Sequence, residues 1–390
     1  MSRPAVLFVA HTQALGLLFH FTKFIPHLMR ECDPDMDFYA ASIAKEQEPG
    51  LWDALRASVP SSRLLVLPDN GSITGEATKL LETRDKVIVH CQGYRQVREM
   101  SPLKKRYGSH LDLIITMHAF RHGTLMQLPV SLLSARRYSR DVSRVVFLSP
   151  FAMRQFAGAG KLARQGKIVM IPLGVEEQSA QDLQATPPQL GDPDIGACLR
   201  DPALACLVYL ARFTDVKGHG WLIEGMAPVL RMHPEARLLL PGDGPLRQDM
   251  ITLARSLGLS SQVLIPGRID RKWVPWILTR ARVGLAISSS ETFGHNSVEP
   301  MALGCPVIAT RVGVAEWTIN DFVTGFGVAW QDRIALGRYA NLLLSDRELA
   351  SAIGQRGQAL ARMMFSWPKV AAANVRMYRS LVEPTASKQD

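Results

Sequence analysis

The residues with the most chemical content lie between 282 and 328, above all in SSSETFGHNSVEPMALGCPVIATRVG. An apolar run ends there in Ser288, Ser289 and Ser290, and Glu291 follows. A turn, Thr292-Phe293-Gly294-His295, then leads into a helix expected to begin near Asn296 or Ser297, with Glu299 in its first turn. A strand, a loop and a helix N-terminus in that order aim backbone N–H groups and a partial positive charge outward. The amides of Thr292, Phe293, Gly294 and His295 therefore suit a diphosphate. A carboxylate beside a phosphate is repulsive unless neutral hydroxyls occupy it: Glu299 suits the diol of a ribose, and Glu291 the hydroxyls of a hexose. The same residues also admit a purely structural role, because Asn296 and Glu299 have capping-box spacing, in which Glu299 ties down its own helix.

Upstream, LARFTDVKGHG puts Arg212 and Lys217 just after another apolar run. If they face the same crevice, the two cations neutralise a diphosphate leaving group without a metal; taken alone they are ordinary loop cations. LLLPGDGP (238–245) ends a strand in a turn holding Gly242 and Asp243. LIPGRI (264–269) ends another near Arg268, where exposed backbone can edge-pair with a nucleobase.

The elements that must position these residues are short apolar runs separated by helix-length segments. AVLFVA (5–10), KVIVHC (86–91), LDLIITM (111–117), RVVFLS (144–149) and KIVMIP (167–172) read as buried parallel strands. The polar, Pro-rich stretch 176–196 follows, and the alternation then restarts with runs at 204–211, 236–242, 261–267, 282–288 and 306–311. Two α/β domains are expected: 1–175, a linker region at 176–200, and 201–365. Doubly wound sheets of this kind bind ligands beyond the carboxyl ends of their strands. The segment 366–382 spaces Trp367, Val370, Val375, Tyr378 and Leu381 as a helix face does, and must bury that face.

Length agrees, since 390 residues exceed what one core usually serves. The formal net charge is +10, and it is not evenly spread: residues 1–173 hold 23 Lys/Arg against 14 Asp/Glu, whereas 174–390 hold 22 against 21. Such a concentration suits an anionic partner, whether phospholipid headgroups, an anionic substrate or nucleic acid. No run is long enough to span a membrane and none reads as a signal peptide, so a cytoplasmic protein is expected. Five widely spaced cysteines form neither a disulfide framework nor a metal pattern and are expected as buried thiols. Asp-Pro-Asp triplets at 33–35 and 192–194 have carboxylate spacing but lie in loops away from the crevice, and no metal is expected.

The combination of ARFTDVKG, LLLPGDGPL, VLIPGRI, SSSETFGHNSVEPMALGCPVIAT and VGVAEWTINDFVTGFGV resembles the retaining glycosyltransferases of family 4 over about 120 residues. The resemblance implies the GT-B fold, two Rossmann-like domains facing each other across a cleft, with a C-terminal helix (366–390) crossing back to the first. It implies an E-x7-E pair, Glu291 toward the donor sugar and Glu299 toward the ribose. Arg212 and Lys217 fall on the family's diphosphate-binding positions, and Arg268 where backbone meets the base. The first half resembles the family more weakly. LIITMHAFRHG places His118 near the donor sugar, VFLSPFAMRQF and IVMIPLGVE fit the end of the acceptor domain, and FSWPKVA resembles the closing helix. Departures are HTQALG, with Gly16 alone where a glycine-rich phosphate loop is usual, Ala211 for Gly, Leu173-Gly174 for Asn-Gly, and Pro300 for Ala. Proline in a first helical turn is tolerated, which is why the helix is placed where it is.

The implied activity is transfer of a hexose-type sugar from a UDP- or GDP-sugar, with retention, to a glycan or lipid-linked acceptor in envelope or polysaccharide synthesis. No cofactor is expected. With both glutamates assigned to hydroxyls no nucleophile remains, and the family is generally discussed in terms of front-face attack. The basic first domain allows docking on an anionic membrane surface. Two alternatives stay open: a nucleotide-sugar epimerase of similar fold, whose acid/base carboxylates cannot be assigned, and a non-catalytic carbohydrate- or nucleic-acid-binding protein. Sparse aromatics and the lack of an RNA motif make nucleic acid an unexpected partner.

Overall fold

Ala5–Val9 is apolar and buried at every position, as a strand covered on both faces requires. The computed structural model describes residues 2–9, 15–32, 34–43, 56–57, 59–67, 73–118, 136–175 and 193–383. In it Ala5–Val9 is β1, joined by β2 (Asp37–Ile43), β3 (Leu64–Leu67), β4 (Val87–Cys91), β5 (Leu111–Met117), β6 (Arg144–Phe147) and β7 (Ile168–Met170). These pair in parallel in the order β3-β2-β1-β4-β5-β6-β7.

The second sheet holds β8 (Ala205–Val208), β9 (Ala236–Leu239), β10 (Val263–Leu264), β11 (Val283–Ala286), β12 (Val307–Thr310) and β13 (Phe326–Val328). It is parallel in the order β10-β9-β8-β11-β12-β13. Both orders run outward from a middle pair of strands, β1 and β4 in one sheet and β8 and β11 in the other. Loops leaving the carboxyl ends of such a pair diverge and leave a crevice. Two doubly wound parallel sheets of Rossmann type are thus present, as expected for the GT-B class.

The chain divides into two compact units, 1–174 with 367–390, and 175–366. The second unit's main core gathers Tyr209, Phe213, Leu222, Ile287 and Phe326. The helix Trp367–Val382 belongs to the first unit, where Trp367, Val370, Val375 and Tyr378 join the cluster built on Phe8, Ile25 and Phe38. That is where the apolar face legible in the sequence goes. Tyr378 also ends a buried polar chain: its hydroxyl lies 2.7 Å from His90 Nδ1, and His90 Nε2 lies 2.8 Å from Thr116 Oγ1. Burial first, and then the neighbouring His118, push the His90 imidazole down to about 3, so it is neutral.

Two expectations change. Residues 193–200, taken as linker, form the helix Pro193–Arg200; residues 176–192 lie outside the described residues. Cys198 and Cys206 are a disulfide and not two buried thiols, because that helix ends against the start of β8 and brings them together. Cys32, Cys91 and Cys305 are buried thiols, as expected. In the Asp-Pro-Asp triplets, Asp33 and Asp192 lie outside the described residues. No described helix is long and apolar enough to cross a membrane. Part of the basic excess is neutralised locally, Lys86 by Asp112 and Arg140 by Asp141.

Candidate active site

The middle pair of the second sheet, β8 and β11, positions the predicted charges. The chain leaving β8 carries Arg212 and Lys217, and the chain leaving β11 carries Glu291. Lys217 Nζ forms an ion pair with Glu291 Oε1, which also accepts from Ser288 Oγ at 2.9 Å. Both partners are largely covered, at 23% and 18% side-chain exposure. Arg212 remains exposed.

Three supports that the sequence did not reveal hold this pair. Tyr209, fully buried at the end of β8, reaches with its hydroxyl the carbonyls of Lys217, at 3.0 Å, and of Ile287. Burial raises its phenol well above the usual value. Thr310 Oγ1 accepts from Ser288 N–H at 2.9 Å and donates to Ser288 O at 2.6 Å. Gly313, at φ +60°, lies so close that a Cβ would sit 2.2 Å from Phe293 O and 2.9 Å from Glu291 Cβ. The next residue, Val314, donates its N–H to Phe293 O at 2.7 Å.

Glycine also sets the approach of neighbouring loops. A Cβ at Gly242 would meet Ala211 O at 2.0 Å, Gly242 N–H donates to Gly267 O at 2.8 Å, and Phe213 N–H donates to Asp243 O at 3.0 Å. The ends of β8, β9 and β10 are thereby stitched together, with Arg212, Asp243 and Arg268 exposed upon them. His219, buried between the rings of Tyr209 and Phe213, is pushed down to about 4 by burial and then by the charge of Lys217.

The helix after Glu291 differs from expectation. It runs His295–Ala302, with Gly294 at φ +102° as its N-cap and no side-chain cap bond, so Glu299 lies in its second turn. Pro300 sits inside the helix rather than in its first turn. Its ring packs where a Cβ on Gly284 would lie at 2.7 Å, a fit that requires glycine in β11. The capping-box role of Glu299 fails: its carboxylate pairs with Arg271, and His295 Nδ1 stands 4.0 Å away. His295 packs on Phe293 at 4.7 Å between ring centroids. Thr292 and Phe293 complete the turn between Glu291 and the helix. Arg271 lies two residues beyond the matched LIPGRI motif, in a 3-10 turn whose position a sequence does not reveal.

In the first unit His118 follows β5 directly, with its Nε2 2.6 Å from Gln92 Oε1. The amide oxygen accepts, so Nε2 carries the proton. Both residues line a small cavity of ≈ 30 Å³ with His90, Thr116, Phe21 and Trp367. Gln92 sits just beyond β4, and its Nε2 has no hydrogen-bond partner among the described residues. Gly16, expected in a loop, is the second residue of the helix Leu15–Cys32; residues 10–14 and 119–135 lie outside the described residues.

Residues 201–360 match the family of glycosyl transferases group 1. Over these residues the chain is similar to a group 1 glycosyl transferase domain. The family-level relationship that the motifs implied therefore stands, and the paired charges lie within this domain. The chain is 27% identical over 320 residues to the GDP-mannose-dependent alpha-(1-6)-phosphatidylinositol monomannoside mannosyltransferase of Mycolicibacterium smegmatis, covering 78% of each chain. It is 30% identical over 185 residues to the lipopolysaccharide core biosynthesis glycosyltransferase LpsE of Rhizobium meliloti, over 47% of this chain and 53% of that one. Its fold is similar to that of Anabaena HepE in complex with UDP and glucose, with a TM-score of 0.73, 18% identity, and 96% and 99% of the two chains covered.

Proposed function

We propose that this glycosyltransferase moves a hexose-type sugar from a UDP- or GDP-sugar to a hydroxyl of a glycan, glycolipid or lipid-linked acceptor, with retention at the anomeric carbon. The observation that carries the reading is the contact of Lys217 with Glu291 at the middle of the second sheet. One group suits a phosphate and the other a sugar hydroxyl, and each satisfies the other until a ligand carrying both arrives. A donor diphosphate takes Lys217 and Arg212 as partners, while hexose hydroxyls donate to the released Glu291 and ribose hydroxyls to Glu299. Amides of the Gly294–His295 turn add to the field on the phosphate.

As the glycosidic bond breaks, negative charge grows on the leaving diphosphate, and Arg212 and Lys217 stabilise it where it grows. Both glutamates are engaged with hydroxyls, so the acceptor oxygen attacks from the face the diphosphate leaves, and the diphosphate takes the acceptor proton. In this reading His118, with Nε2 bound to Gln92, is assigned to the donor sugar and Arg268 to the base. No metal takes part; activity that survives a chelator agrees, and full loss on chelation contradicts it.

The names of the relatives support the substrate classes, since one is named for GDP-mannose and a phosphatidylinositol mannoside and the other for lipopolysaccharide core synthesis. The basic first unit would dock on an anionic membrane surface on the cytoplasmic side. Vesicle flotation tests this, with preference for anionic over neutral bilayers as the expected result. The stereochemistry is tested by the anomeric proton coupling of the first-formed product: an α-donor must give an α-product, and a β-product overturns retention.

A further inference from the structure

The second unit carries a recess of ≈ 480 Å³ at the opposite edge of its sheet, where β8, β11 and β12 begin. Its walls are the end of the helix Pro193–Arg200, the Cys198–Cys206 disulfide, the entries to these strands and the first turn of the helix Arg347–Phe365. Arg200, Arg280, Arg282 and Arg347 line it, against Asp201 as the one acidic residue among the described lining. Asp201 is already engaged, accepting from Ala203 N–H at 2.9 Å.

Arg200, Arg282 and Arg347 form no ion pair among the described residues. Arg280 is held in place, with its guanidinium 4.3 Å from the Trp276 ring centroid. Arg282 is half-buried, and burial followed by the charge of Arg347 makes its protonated form less favourable than usual. Like charges gathered in one recess repel, and a bound anion removes that repulsion. Guanidinium forks match phosphoryl oxygens in geometry as well as charge. The volume lies within the range of small-molecule sites, and Leu199, Pro202, Leu204 and Pro306 supply apolar wall for a carbon body.

We propose that this arginine-lined recess is a second anion site, which binds a phosphoryl group borne by a small ester or a lipid headgroup. It lies where the strands begin, so it is separate from the Lys217–Glu291 site where they end, and it does not depend on the donor assignment.

Equilibrium dialysis of the full chain with radiolabelled inorganic phosphate tests the site. The Arg212→Gln/Lys217→Gln variant should retain phosphate binding, because only the other edge is altered. In that background, adding Arg282→Gln/Arg347→Gln should weaken phosphate binding at least about tenfold, the loss of one or two charge-assisted bonds. Should the pair fail to fold, Arg347→Gln alone, at an exposed position, must still weaken binding severalfold. Unchanged binding in the folded recess variants, or no phosphate binding by any form, overturns the proposal. Flotation with vesicles of phosphatidic acid in phosphatidylcholine separates the sources. Flotation that the recess substitutions weaken assigns a headgroup; phosphate binding that they weaken while flotation stays unchanged assigns a soluble ester.

Discussion

Lys217 and Glu291 lie 74 residues apart in sequence and share an ion pair, with Ser288 donating to the same carboxylate oxygen. Because each partner is the other's counter-ion and each is also assigned a piece of the donor, their contributions to catalysis should not add. Glu291→Gln and Lys217→Ala should each lower kcat/KM about 100-fold or more, near the loss seen when one transition-state donor is removed. The double variant should be little worse than the worse single one. A double-mutant cycle on turnover measures this, and strict additivity would show that the two act separately.

Arg271 holds the Glu299 carboxylate in an ion pair. Arg271→Ala should therefore loosen the carboxylate assigned to the ribose without touching the reacting centre, and the donor KM should rise several-fold to about tenfold with kcat nearly kept. Donor titration at saturating acceptor checks this split. A matching fall in kcat would move Arg271 toward the leaving group.

Gly313→Ala should damage activity more than a methyl group suggests. Its left-handed φ costs about 1–2 kcal/mol for any L side chain. The new Cβ would also lie 2.2 Å from Phe293 O and 2.9 Å from Glu291 Cβ, so the Glu291 loop must shift. Thermal unfolding and turnover measured together should show a modest fall in stability and a large fall in rate.

His90 and His219 give the chain an acid sensitivity with a definite sign. Folding depresses both imidazoles, to about 3 and about 4 from an ordinary 6.5. Stability is therefore complete above pH 6.5 and falls as pH drops below it, because the unfolded chain binds protons that the folded one refuses. Each histidine should remove about 2 kcal/mol between pH 7 and pH 5. Urea unfolding at the two pH values checks it, with His90→Gln expected to flatten the pH dependence of the first unit. Tyr378→Phe leaves His90 Nδ1 without its partner and should cost roughly 1–3 kcal/mol at pH 7.

The doubly wound sheets were legible because buried parallel strands such as Ala5–Val9 and Leu111–Met117 are continuous apolar runs, which few other elements imitate. Strands β2, β3 and β13 were not singled out: Asp37–Ile43 mixes polar with apolar residues, and Leu64–Leu67 and Phe326–Val328 are very short. Charged residues next to glycine-marked turns could be read from their motifs, Arg212, Lys217, Glu291 and Glu299 among them. Their partners could not. Tyr209, Arg271 and Gly313 act through tertiary contacts between loops far apart in sequence, and Gln92 meets His118 only because β4 and β5 are neighbours. The helix start shifted to His295 because Gly294 supplies a positive φ cap and Gly284 makes room for Pro300, and neither effect is visible within one segment. The Cys198–Cys206 disulfide likewise depends on a helix folding back onto β8.

The central claim is transfer from a nucleotide diphosphosugar at the Lys217–Glu291 pair, and the most direct measurement is a panel of radiolabelled UDP- and GDP-sugars incubated with wild-type protein and with Glu291→Gln. The account predicts that at least one donor is hydrolysed or transferred with release of UDP or GDP, and that folded Glu291→Gln loses that activity about 100-fold or more. Equal turnover by the two proteins, or no turnover of any donor by the wild type in the presence of lipid and glycan acceptors, would contradict it.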